Sequence, residues 1–158
     1  MRNSRRVVYC LAAGALAFLF AAPVSASTPA ASAGTGTVAF IPNGPPRFAD
    51  GNIIVRATLS GTVTGRLSGT WTEQAIEVIH ADGSATTHAA GTFSVTTPCG
   101  AGSFPFELEA QQDSPTSNLS GRFRSIDDSA ATVAIHTVDA FSTAPNSGVF
   151  TYVGTYSC

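Results

Sequence analysis

One short phrase recurs along this chain. Leu59-Ser60-Gly61-Thr62 returns as Leu67-Ser68-Gly69-Thr70. Around it a glycine, any residue, and then a β-branched or aromatic residue recurs at Gly36-Val38, Gly61-Val63, Gly69-Trp71, Gly91-Phe93, Gly102-Phe104, Gly121-Phe123, Gly148-Phe150 and Gly154-Tyr156. Glycine destabilises a helix interior, whereas Val, Phe, Tyr, Trp and Thr suit a pleated, half-buried surface. Such a repeat can build strands that bend tightly at glycine.

The start of the chain is of another kind. Arg2, Arg5 and Arg6 precede an apolar run from Val7 to Ala22, and Val24-Ser25-Ala26 puts small residues where a signal peptidase reads. Pro23 closes the run before it reaches the roughly 20 apolar residues of a membrane span. Residues 1–26 are therefore expected to be a signal peptide, so that the membrane is met only before cleavage and the mature protein is secreted. Residues 27–36 consist of Ser, Thr, Ala, Pro and Gly without apolar periodicity, the composition of a flexible tether.

Residues 37–158 read as one β domain. Val38 to Ile41 is a short strand, ended by Asn43-Gly44-Pro45-Pro46. Asn52 to Thr64 is a long one, with Ile53, Val55, Ala57 and Leu59 on one face and Ile54, Arg56 and Thr58 on the other. Arg66 to Ala81 runs back, and Asp82-Gly83 marks a hairpin with a type I′ turn. Beyond it Phe104, Phe106 and Leu108 alternate with Pro105, Glu107 and Glu109, apolar inward and polar outward. Leu119 to Ile126, Ala130 to Phe141 and Gly148 to Cys158 complete the set, the last carrying Phe150, Tyr152 and Tyr156 on one face.

About eight short-linked strands with no helical window predict an all-β antiparallel meander closed into a roughly eight-stranded barrel. A β-sandwich of the immunoglobulin type is the alternative, but its order is Cys, Trp, Cys, and here Trp71 precedes both Cys99 and Cys158. After Ala26 there are five arginines, no lysine and ten acidic residues, a net charge of −5. Without a basic stripe, nucleic acid is excluded as a partner. No pattern calls for a cofactor or defines an oligomeric state.

From Ala57 to Leu108, Gly61 and Gly65, Glu73, Asp82-Gly83-Ser84, Gly91-Thr92-Phe93 and Gly102-Ser103-Phe104 form a series that resembles small uncharacterised bacterial proteins with an allene oxide cyclase or dirigent-like barrel. The matching positions are glycines and turns. The resemblance implies the barrel, and a hydrophobic small molecule held inside it that is either carried or cyclised. It matches no catalytic residue onto this chain, and a fold does not fix an activity.

Cys99 and Cys158 are the cysteines left after export and are expected to form a disulfide. Glu73 and Glu77 share a strand face with Trp71. Inside a barrel that face would put two carboxylates beside an aromatic wall, where one could act as a base while its neighbour's pKa rises. Ile76 and Val78 claim the core more strongly, so the expected placement of both glutamates is the solvent face. Arg56 and His136 complete the catalytic candidates. His80, His88 and His136 are too scattered for a metal motif. Trp71, Phe93, Phe123, Phe150, Tyr152 and Tyr156 could line a lumen or simply fill a core. The reading that results is a secreted, non-enzymatic barrel whose partner is an apolar small molecule. The alternatives are a cyclase-like isomerase acting on an apolar substrate and a surface or interaction protein with a filled core.

Overall fold

The computed structural model describes residues 28–133, 135–144 and 147–158; the expected signal peptide lies outside them. Ten strands and no helix are found among the described residues: β1 (Ala30–Thr37), β2 (Ala39–Pro42), β3 (Arg47–Ala49), β4 (Asn52–Gly65), β5 (Ser68–Ile79), β6 (Ala85–Thr97), β7 (Gly100–Gln112), β8 (Leu119–Ser125), β9 (His136–Thr143) and β10 (Val149–Ser157). From β4 to β10 each strand pairs antiparallel with the next, and β1 pairs with β10 on one side and β4 on the other. The result is a closed eight-stranded antiparallel barrel, as the glycine repeat implied. β2 continues the β1 register along β4, with Gly34 facing Gly65 and Pro42 facing Ala57. Only Val38 interrupts it, its amide donating to the Gly148 carbonyl at 2.8 Å.

β1 corrects the expected tether, since residues 30–36 are strand. Its small inward residues sit beneath the large rings of β10. A Cβ on Gly34 would stand 2.6 Å from the Tyr152 hydroxyl, and one on Gly36 would run into the Phe150 ring. The absence of apolar side chains there reflects space taken by a partner strand.

The type I′ turn expected at Asp82-Gly83 is not found there. The two-residue turn with positive φ at both centres is Asp50 (51°) and Gly51 (78°), joining β3 to β4. At Asp82-Gly83 only the glycine has positive φ (83°), in a loop where the Gly83 amide donates to the His80 carbonyl at 2.9 Å. Asp82 accepts the Ser84 amide at 2.9 Å and hydroxyl at 2.7 Å. That side-chain bonding suits the wider three-residue loop, in which a type I turn is followed by a left-handed glycine.

One end of the barrel is plugged. Leu67, Val63, Val95 and Phe104 are buried there, together with Val133 and Ile135. The latter two belong to a segment expected to be strand from Ala130; it lies instead against β7, with the Thr132 amide on the Ser103 carbonyl at 2.9 Å, and pairing resumes only at His136. Phe93 holds the middle of the core, its ring centroid 5.3 Å from Phe104, 4.4 Å from Phe106 and 5.2 Å from Phe123. The Cys99–Cys158 disulfide, with Cα atoms 5.6 Å apart, ties the end of β10 to the β6–β7 turn at this plugged end.

Candidate functional site

The other end of the barrel is open, and what faces it is decided on β5. Trp71, Glu73 and Ala75 point inward, with 6%, 4% and 6% of their surface exposed, while Ile76 points outward at 43%. Glu73 therefore belongs to the lumen, contrary to the solvent-face expectation, and Glu77 follows it on the same face, half-buried at the opening. Trp71 sets this choice. It pairs with Phe93 across β6 and packs edge-on against Phe150 at 6.0 Å, so the period of two carries every second residue after it inward. Outside, Ile76 lies between Arg56 on β4 and His88 on β6.

Local sequence makes room for the buried carboxyl. Opposite Glu73 on β6 is Gly91, where a Cβ would lie 2.6 Å from the Glu73 Cβ. Burial pushes the Glu73 pKa up to about 7, and its Oε2 has no hydrogen-bond partner among the described residues. Of the other buried polar atoms without partners among the described residues, two border the same cavity as Glu73: Trp71 Nε1, which lies beside Gly61, and Thr87 Oγ1. Burying a polar group without a partner costs about 1–3 kcal/mol. Three such atoms lining one cavity mark a place built for something else to complete.

Trp71, Glu73 and Thr87 line one chamber of about 90 Å³, walled by Phe93, Phe106, Phe123, Phe141 and Phe150. Val38, Leu59, Thr87, Leu119 and Thr143 border both this chamber and a wider mouth of about 630 Å³, and so form a neck between them. The mouth adds Phe40, Val55, Ala57, Ala75, Glu77 and Ile79. Glu77 also has its pKa raised by burial.

The other candidates fall elsewhere. Arg56 faces solvent, because it alternates with the inward Val55 and Ala57. His136 is exposed beside Asp127, Nδ1 to Oδ1 3.4 Å, since its neighbours Ile135 and Thr137 take the inward positions. Of the six aromatics expected to line a lumen, Trp71, Phe93, Phe123 and Phe150 do so. Tyr152 and Tyr156 are buried core outside the chamber. The Tyr152 hydroxyl accepts the Leu67 amide at 3.1 Å and donates to the Thr64 carbonyl at 3.2 Å. Sequence reasoning missed Thr87, Phe106, Phe141 and Leu119 as lining residues, although Phe106 was legible as inward. It also missed Asp139, which is fully buried. Burial raises the Asp139 pKa, opposed by hydrogen bonding from Thr137, whose hydroxyl donates at 2.6 Å, and from the Thr155 amide. Asp139 does not line the chamber. No group of three His, Cys, Asp or Glu that could hold a metal occurs among the described residues.

No protein-family model and no curated protein matches the chain. Among solved structures, the chain is similar to a protein of unknown function from the DUF3224 family of Shewanella oneidensis MR-1, with a TM-score of 0.64 and 19% identity over 82% of this chain and 96% of that one. The likeness extends to the fold alone.

Proposed function

We propose that the protein is an exported, non-enzymatic barrel that binds a hydrophobic small molecule in its lumen. One observation carries this: an aromatic chamber, continuous with an open mouth, contains three buried polar atoms without partners. Ligand sites are concave, mostly apolar, and fixed by a few convergent polar groups. The disulfide accords with an oxidising compartment. The cyclase-like reading implied by the allene oxide cyclase and dirigent resemblance finds support in Glu73, a buried carboxyl with a pKa near neutrality. It finds no second titratable group in the chamber to act as its partner.

The test uses Trp71, the one tryptophan of the chain. A terminally brominated n-alkanol, slender enough to pass the neck, titrated into the protein should quench Trp71 fluorescence saturably. Thr87→Phe, which fills the neck, should abolish that quenching while leaving the circular dichroism of the barrel intact. Unaltered titration in the folded neck variant, or no saturable signal in the wild type, would overturn the proposal.

A further inference from the structure

We propose that the lumen takes an elongated primary ammonium amphiphile, its head in the chamber against Glu73 and its hydrocarbon chain running through the neck into the mouth. This deepens the lumen-binding reading and rests on it.

The charge of the inward face points to a cation. Its acidic groups are Glu73, Glu77 and Asp139, and among the described residues no base answers them: the chain has no lysine, and Arg47, Arg56, Arg66, Arg122 and Arg124 are all exposed. His88 and His136 are exposed as well, while His80 sits at the β5–β6 turn with its ring 3.2 Å from Asn52. A carboxylate buried to 4% exposure with no cation in the chamber is incomplete, because buried charges are normally paired. The aromatic wall fits the same sign of charge, since the faces of Trp and Phe rings attract cations. An ammonium group offers three donors and no acceptor. Glu73 Oε2 is a buried oxygen in that chamber with free acceptor capacity, whereas Thr87 Oγ1, opposite Glu77, lies further toward the mouth.

Size decides the shape. A ring such as benzene occupies a cavity of about 150 Å³, and the chamber has about 90 Å³. A compact head with its first few methylenes fits; a ring system does not. Whatever follows must pass the neck formed by Leu59, Leu119 and their neighbours, which are apolar or carry only hydroxyls, and emerge in a mouth about 630 Å³ in volume. Like charge at Glu73 disfavours a fatty carboxylate in that position.

Three probes of equal chain length separate the possibilities: n-octylamine, n-octanol and n-octanoate, titrated at pH 8 by calorimetry with Trp71 fluorescence as second readout. Octylamine should bind at least tenfold tighter than octanol, and octanoate weakest. Glu73→Gln should bring octylamine down to the octanol level while changing octanol less than threefold, and Glu77→Gln should leave the preference within threefold. At pH 7 octylamine binding should release protons to the buffer, seen as a heat that depends on buffer ionisation, because a cation at Glu73 favours its ionised form. Octanoate binding as well as octylamine, or a preference that survives Glu73→Gln or vanishes in Glu77→Gln, would overturn the ammonium assignment and leave the lumen reading intact. If none of the three probes binds, the lumen reading falls with it.

Discussion

Glu73 can be tested without any ligand. Its pKa rises from 4.5 to about 7 in the folded barrel because burial penalises the charged form. A native state that holds the proton more tightly than the unfolded chain is favoured at low pH. The stability linked to Glu73 is therefore fully present below pH 4.5, declines as pH rises, and is lost once pH passes about 7. Each pH unit of that interval corresponds to about 1.4 kcal/mol, so the cost of ionised Glu73 above neutrality is about 3 kcal/mol. Glu73→Gln keeps the shape and removes the ionisation. It should match the wild type near pH 4.5 and exceed it by about 3 kcal/mol at pH 8. With a urea m-value of about 1–3 kcal/mol/M, the midpoint should rise by about 1–3 M at pH 8. The assay is urea unfolding of disulfide-intact, refolded protein, followed by Trp71 fluorescence at pH values between 4.5 and 8. Glu77 and Asp139 titrate in both proteins with shifts of the same sign, so the difference between the two curves isolates Glu73. A glutamine variant no more stable than wild type at pH 8, or a difference that does not vary with pH, would refute the burial argument.

Other consequences follow from the packing. Replacing Cys99 and Cys158 together by Ser opens a bridge spanning 59 residues and should lower stability by about 4 kcal/mol on the chain-entropy estimate, measured by urea unfolding with and without reductant. Phe93→Ala, at the centre of the aromatic core with 3% of its surface exposed, should cost about 3–5 kcal/mol by the same assay. An Ala at Gly154 would press its Cβ to 2.6 Å from the Asp139 Cγ; a folded, equally stable Gly154→Ala protein would show that Asp139 is not held where β9 and β10 place it. Intact-mass measurement of exported protein should find a chain that begins at Ser27, and a product retaining Met1 would contradict the signal peptide.

The barrel was legible because its determinants are local and repeated. Glycine before β-branched or aromatic residues, and alternation at Phe104, Phe106 and Leu108, are properties of single strands. What was not legible depends on partners distant in sequence. Residues 30–36 look like a tether until Tyr152 and Phe150 are known to occupy the space above Gly34 and Gly36. Residues 130–135 look like strand until Val133 and Ile135 are needed to plug the closed end. At the two Asp-Gly turns the dipeptide alone does not choose the loop length. Asp82 bonds Ser84 and widens its loop, whereas Asp50 closes a two-residue turn.

The facing of β5 is the instructive failure. Ranking side chains by hydrophobicity sends Ile76 and Val78 inward and Glu73 outward, and for a barrel with a filled core that ranking would hold. Here Trp71 fixes the register, and the strand carries Glu73 to 4% exposure and leaves Ile76 at 43%. Packing alone gives no reason to keep a carboxylate there, since an apolar residue opposite Gly91 would avoid a penalty of about 3 kcal/mol at neutral pH. Local rules tend to be broken where a protein has a use for the exception, with the cost met elsewhere in the fold. In this barrel the exception sits in an aromatic chamber reached from the open end, whose lining includes Thr87, also without a partner. The residue least consistent with folding physics is thus the one around which binding is best sought, and its replacement should separate the two roles by stabilising the empty barrel and weakening what enters it.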